Sequence, residues 1–159
     1  MFSQTTFGGY TWFGETEFAG DVAFKETTFQ DVGFGSALFK EDASFSDTTF
    51  GGGASFTGAT FNKNVKFDRA KFTGDAEFVQ ATFSNNASFR ETAFEAPPNL
   101  RDGCVLQIDA THIWPDGWQV ERDWDIPTDA PGKLVQSPQP ARTEGQRNPD
   151  TQDGASESA

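Results

Sequence analysis

Phe67-Asp68-Arg69-Ala70-Lys71-Phe72-Thr73-Gly74-Asp75-Ala76-Glu77-Phe78 contains the rule that organises most of this chain. One step of five residues and one of six carry each Phe to the next, a unit of eleven. All eighteen phenylalanines fall on that lattice, at positions 2, 7, 13, 18, 24, 29, 34, 39, 45, 50, 56, 61, 67, 72, 78, 83, 89 and 94. A unit this short cannot bury its apolar side alone, so successive coils must stack to make a core, which is the logic of a solenoid.

A second rule runs beside the first. The residue two before each Phe, from Phe7 to Phe94, is always Ala, Thr or Val. In an extended segment residues two apart share a side, so each pair puts one small and one large side chain inward. Volume explains the pairing: a second bulky residue beside each Phe would overpack a narrow coil, at about 1–3 kcal/mol per clash. Between the two stand mostly Thr, Ser, Glu, Lys, Gly and Trp, with no apolar rule, as suits an outward position. The six-residue steps add one residue before the small one: Tyr10, Asp21, Asp42, Gly53, Asn64, Asp75 and Asn86. Asp, Asn and Gly tolerate positive φ or close an Asx turn, which predicts a tight, bulge-like corner at these positions. Phe29-Gln30-Asp31-Val32-Gly33-Phe34 lacks the insertion that the alternation calls for and reads as a tolerated deletion.

These residues resemble the pentapeptide-repeat family, whose unit centres on Leu or Phe with a small residue two positions before it. The resemblance covers residues 2 to 96. It implies an all-β fold, a right-handed quadrilateral parallel β-helix with four faces to a coil. Coils are then about 22 residues, stacked at roughly 4.8 Å, and the rod is roughly 22 Å long. Phe24, Phe45, Phe67 and Phe89 would form one internal column, and Phe18, Phe39, Phe61 and Phe83 another. The regular sixth residue and the near-absence of Leu, with Leu38 alone in the repeat, depart from the family's common pattern.

Composition changes at Ala96-Pro97-Pro98, which divides the chain into a β-helix at 1–96, a capping segment at 97–135 and an acidic tail at 136–159. The last coil needs a cover for its rings and strand edges. Leu100, Val105, Leu106, Ile108, Ile113, Trp114, Trp118, Val120 and Trp124 are the apolar candidates. Trp114-Pro115-Asp116-Gly117-Trp118 is a turn expected to fold two short extended pieces against each other. The tail, dominated by Pro, Gln, Ser, Asp and Glu, is expected to be disordered. At the other end Phe2 is already on the lattice. Three readings follow: Tyr10 and Trp12 mask the first coil, two copies stack end to end, or the chain is part of a longer one.

The sequence has no apolar run long enough to span a bilayer and no signal-peptide pattern, which leads us to expect a cytoplasmic protein without a membrane segment. The single Cys104 fits a reducing compartment, and neither it nor the single His112 has the company a nucleophile needs. Carboxylate pairs such as Glu15 with Glu17 and Glu41 with Asp42 read as solvated charge, because columns of Phe leave no cleft to shift their pKa. Gly51-Gly52-Gly53 lacks the Lys-Ser or Lys-Thr of a phosphate loop. No metal-ligand spacing or cofactor motif is present, although Asp21, Asp42 and Asp75 are candidates for one carboxylate-lined edge. We therefore expect no catalysis and no cofactor.

The net charge of −12 argues against direct nucleic-acid binding, which needs a basic footprint. Residues 1–50 hold eight acids against Lys25 and Lys40, whereas residues 51–96 balance five against five. Some pentapeptide-repeat proteins mimic duplex DNA and occupy DNA gyrase, protecting it from quinolones or inhibiting it. Such a mimic should be acidic along its whole rod. The sequence therefore favours a rigid protein-interaction or structural module of unknown partner, with gyrase binding as the alternative. Candidate surfaces are an acidic one at Glu15, Glu17, Glu26, Glu41 and Asp47 and a basic one at Lys63, Lys66, Arg69 and Lys71. Their polarity permits head-to-tail stacking into a homo-oligomer.

Overall fold

A computed structural model describes residues 2–122 and 130–138. The chain coils into a parallel β-solenoid whose strands are mostly two residues long, for example Thr49–Phe50, Ala54–Ser55, Thr60–Phe61 and Val65–Lys66 around one turn. Each strand pairs in register with its equivalent one coil away. Thr28 meets Thr49, Thr49 meets Lys71 and Lys71 meets Ala93. Most coils therefore contain 22 residues, and the one carrying the deletion contains 21. We number the four faces by their Phe columns: face 1 carries Phe7, Phe29, Phe50, Phe72 and Phe94; face 2 carries Phe13, Phe34, Phe56 and Phe78; face 3 carries Phe18, Phe39, Phe61 and Phe83; face 4 carries Phe2, Phe24, Phe45, Phe67 and Phe89.

In-register stacking gives neighbouring rings of a column the same orientation. Phe45 and Phe67 lie 4.9 Å apart with planes 5° off parallel, and Phe56 and Phe78 lie 4.9 Å apart at 4°. Across the rod, the columns of faces 2 and 4 meet edge to face, as Phe56 does with Phe45 at 5.3 Å and with Phe67 at 5.2 Å. Both arrangements suit the ring quadrupole better than a random melt of aromatics would. Small residues fill the remaining space. Ala59 and Ala81 are fully buried, as are Thr27 and Thr48. The Thr48 hydroxyl donates to the Phe24 carbonyl at 2.6 Å and the Thr27 hydroxyl to the Phe2 carbonyl at 3.0 Å, so neither buried oxygen lacks a partner.

The corners differ from the sequence expectation. Apart from Gly9 at the bulge and Gly117 in the cover, positive φ among the described residues occurs in the five-residue corners, at the second residue after the Phe or, at the end, after Leu100: Gln4, Glu15, Glu26, Ser36, Asp47, Gly58, Arg69, Gln80, Glu91 and Asp102. There the N–H of the small residue donates back to the Phe carbonyl, as Ala59 does to Phe56 at 3.0 Å, closing a four-residue turn whose third position is left-handed. Left-handed geometry costs a non-Gly residue roughly 1–2 kcal/mol. It is retained because it aims the residue's own N–H at the next coil, as in Arg69 to the Arg90 carbonyl at 2.9 Å. In the six-residue corners the Asp and Asn side chains instead tie adjacent coils together. Asp42 Oδ1 accepts from the Asn64 N–H at 3.0 Å and its side-chain amide at 3.1 Å, and Asn64 Oδ1 accepts from the Asn86 amide at 3.0 Å. Where the insertion is missing, the corner straightens into one strand, Thr28–Gly33, which pairs with Thr6–Trp12 across a bulge between Phe7 and Tyr10.

The solenoid does not stop at residue 96. Leu100 takes the place of Phe one coil beyond Phe78, Val105 the place beyond Phe83, and both are fully buried. Asp102 repeats the left-handed corner and Cys104 pairs with Thr82. The cover comes next. Trp114 packs edge-on against Phe83 at 5.2 Å, and an antiparallel pair, Trp118–Glu121 with Gly132–Gln136, extends face 3 through Cys104–Val105. The Trp114–Trp118 turn therefore does not fold its flanks onto each other: Ile113 bridges to Ser88, while Trp118 pairs with Gln136. Of the expected cover, Leu106 and Ile113 remain exposed, and Leu134 supplies the buried aliphatic residue. Trp124 and most of the 136–159 tail lie outside the described residues.

Candidate interaction surface

The described grooves are shallow features of the outer wall, since the Phe columns leave no channel between the faces. One of about 320 Å³ follows the corner between faces 3 and 4, lined by Asp21, Asp42, Asn64 and Lys66 among others. One of about 640 Å³ lies between the last coil and the cover, beside Phe89, Phe94, Trp114 and Pro115. A third, about 260 Å³, runs along the corner between faces 1 and 2 past Tyr10, Asp31, Gly53, Asp75 and Glu77.

The residues singled out in the sequence are not gathered on one acidic and one basic face. Glu15 sits at the face 2 to face 3 corner, Glu17 on face 3, Glu41 and Lys63 at the face 3 to face 4 corner, Lys66 on face 4 and Lys71 on face 1. Glu26, Asp47 and Arg69 share the corner between faces 4 and 1. Opposite charges meet within this set and with neighbours. Arg69 grips Asp47 through two bonds of 2.8 Å, Lys40 reaches Glu17 at 2.6 Å and Lys71 reaches Glu95 at 3.8 Å. The guanidinium hydrogen bond holds the Asp47 carboxyl below its ordinary range and pushes Arg69 up. Coiling converts a lengthwise charge split into cross-coil pairs, because residues 22 apart become neighbours.

Asp21, Asp42 and Asp75 do not line one edge: the first two stand between faces 3 and 4, and Asp75 between faces 1 and 2. Among the described residues, no group of three or more His, Cys, Asp or Glu is placed to hold a metal. His112 caps the Asp–Asn ladder. Its Nδ1 accepts from the Ala87 N–H at 3.2 Å, which makes Nε2 the protonated nitrogen, donating to the Gln107 carbonyl at 2.8 Å. Cys104 is half-buried on face 3, where desolvation raises its thiol pKa, the reverse of what an activated nucleophile needs.

The surface feature that sequence reasoning assigned to the rod's end belongs to its side. Tyr10 is 68% and Trp12 59% exposed, with ring centroids 6.1 Å apart. Both rings lie over Gly33, where an added Cβ would come within 2.5 Å of Trp12 and 3.1 Å of the Tyr10 hydroxyl. Phe2 is left 39% exposed. The outward position of Trp12 between Thr11 and Phe13, and of Gly33 between Val32 and Phe34, was the available signal.

A family model for pentapeptide repeats, in nine copies, matches residues 2–49, 13–60, 24–71 and 56–102. The chain belongs to the pentapeptide-repeat family. No curated protein and no solved structure matches it significantly. In this pentapeptide-repeat chain the match extends past residue 96, in accord with the coil that Leu100 continues. No helix among the described residues is long and apolar enough to cross a membrane.

Proposed function

We propose that this pentapeptide-repeat protein is a non-catalytic, rigid module that binds another protein through side chains on its outer wall. The observation that carries this reading is the solid interior. Twelve Phe side chains are fully buried in continuous columns, leaving flat walls and shallow corner grooves as the available chemistry. Rigid parallel strands present outward residues at fixed spacing, so a partner meets a surface that needs little ordering on binding. The gyrase reading ranks second. A duplex mimic calls for uncompensated negative charge along the rod, whereas Lys66, Arg69 and Lys71 stand in its middle and Asp47 is already engaged by Arg69.

The test is affinity capture from bacterial lysate with the intact chain, using Phe56→Asp as an unfolded control and mass spectrometry as the readout. A stoichiometric partner held by the wild type alone is the expected result. Capture of gyrase subunits would move the second reading to first place, and equal recovery by wild type and Phe56→Asp would overturn the module reading.

A further inference from the structure

The Tyr10–Trp12 pair and the groove beside it form the one place where large exposed aromatic rings and unpaired carboxylates meet among the described residues. Tyr10, Asp31, Gly53 and Asp75 follow one another along the corner between faces 1 and 2, one per coil. Glu77 projects from face 2 beside Asp75. Asp31 Oδ1 accepts the Gly53 N–H at 2.8 Å and Glu77 Oε2 accepts the Asn99 amide at 2.9 Å, which leaves the second oxygen of each carboxylate outside these bonds. No ion pair among the described residues engages Asp31, Asp75 or Glu77, whereas Glu17, Glu26, Asp47, Glu91 and Glu95 each meet a Lys or Arg. Gly33 lies beneath the rings and Gly53 stands between Asp31 and Asp75, so neither puts a side chain into the groove. Asp31 lies in the shortened corner paired with Tyr10, so the deletion places a carboxylate directly next to the aromatic step.

Resting on the interaction-module reading, we infer that this groove is the docking site for an extended segment of a partner protein bearing two Arg or Lys side chains. Charge complementarity selects the occupant. A guanidinium lies flat on an exposed Trp or Tyr face by cation–π attraction and forks onto a carboxylate with its edge; Tyr10 and Asp31 line the groove together, and Trp12 stacks on Tyr10 at its rim. A second cation falls at Asp75 and Glu77. Asp31 and Asp75 are two coils apart, roughly 10 Å. An extended peptide places residues i and i+2 on the same side about 7 Å apart, and the long basic side chains cover the remainder. The segment would run along the rod axis, across the strands.

The experiment titrates the intact chain into a fluorescein-labelled peptide, Gly-Arg-Thr-Arg-Gly, followed by anisotropy, with the same peptide carrying citrulline in place of both arginines. We expect the arginine peptide to bind with an affinity that falls as salt rises, and the citrulline peptide to bind at least about tenfold more weakly. Trp12→Ala and the double variant Asp75→Asn, Glu77→Gln should each lose about tenfold, while Glu15→Gln and Glu41→Gln change nothing. All five residues lie outside the core, and circular dichroism verifies the fold of the four variants. Equal binding by Trp12→Ala, equal binding of the citrulline peptide, or no binding of the arginine peptide overturns the assignment. So does a neutral oligosaccharide that binds the rings when the peptide does not. Failure of this site is distinguishable from failure of the module reading: a partner captured equally by wild type and Trp12→Ala keeps the module and removes this groove. Lysate capture that yields nothing removes the module reading, while the peptide titration still decides the groove.

Discussion

Replacing Phe56 by Ala tests whether the ring columns or the strand ladders hold the rod together. Phe56 is fully buried, stacked on Phe34 at 5.0 Å and Phe78 at 4.9 Å, and edge-on to Phe45, Phe67 and Phe50. Truncating a buried Phe costs about 3–5 kcal/mol when the surroundings cannot close the void. Here closure is opposed by in-register hydrogen bonds on either side, such as Phe56 N–H to the Glu77 carbonyl at 2.6 Å, which fix the coil separation. Loss of these five ring contacts and of the tilted one with Phe61 at 6.4 Å, each worth about 0.5–1.5 kcal/mol beyond area, places the cost at the upper end, about 5 kcal/mol. That is comparable with the whole stability of many small domains. Phe94, half-buried, stacked on Phe72 at 4.8 Å and tilted against Phe89 at 6.5 Å, should cost about 2 kcal/mol when truncated. Urea denaturation followed by far-ultraviolet circular dichroism compares the two through their midpoints. A Phe56→Ala midpoint within about 1 kcal/mol of wild type, or equal losses at positions 56 and 94, would refute the column account.

Ala59→Phe should unfold the rod, because Ala59 is fully buried between coils, whereas Thr60→Glu on the outer wall should leave the thermal midpoint nearly unchanged; equal loss from both would contradict the facing assignment. Gln80→Gly should stabilise by up to about 1 kcal/mol and Gln80→Val should destabilise, since φ is 57° there and only Gly adopts that region freely; thermal unfolding decides the sign. Thr48→Val should cost about 1 kcal/mol in urea by removing the shorter of the two hydrogen bonds that the Phe24 carbonyl accepts, leaving the Thr27 N–H at 3.2 Å, and no loss would show that this hydroxyl is dispensable. The Asp47–Arg69 pair predicts a pH signature. The Asp47 pKa is depressed in the folded state, so its stabilisation is present above the ordinary Asp range and lost as pH falls through the folded value. The stability gap between wild type and Arg69→Ala should therefore stay constant from neutral pH down to about pH 4 and shrink below it; a gap that survives at lower pH would point to packing instead.

Phe recurs at nearly every large inward site, so a stacked solenoid was legible from its spacing, and the four-faced β-helix from the family resemblance. What escaped notice is equally specific. Leu100 and Val105 continue two columns, but their side chains broke the Phe pattern while keeping its 22-residue interval from Phe78 and Phe83. The left-handed residue was expected where Asp, Asn and Gly cluster. It lies mostly at Gln, Glu, Ser, Arg and Asp instead, with Gly58 the one glycine in the series, because an inter-coil hydrogen bond outweighs intrinsic preference. Charge counted along the chain could not show that Asp47 and Arg69 pair, since their proximity depends on coil length. Tyr10 and Trp12 were visible as outward aromatics, but their seat on Gly33 depends on how the bulge aligns two strands of different length.

Tryptophan is absent from the sequence between residues 12 and 114. The rod consequently carries its own optical labels: Trp12 in the first coil, and Trp114 and Trp118 in the cover, separated by a body that emits only as phenylalanine. Single-tryptophan versions would report each end separately. A rod that frays from one side would show two emission transitions in sequence, and a rod that melts as a unit would show them together. Pentapeptide coils can thus be read like a thermometer with a mark at each tip, which makes the direction of unzipping a directly observable property of this molecule.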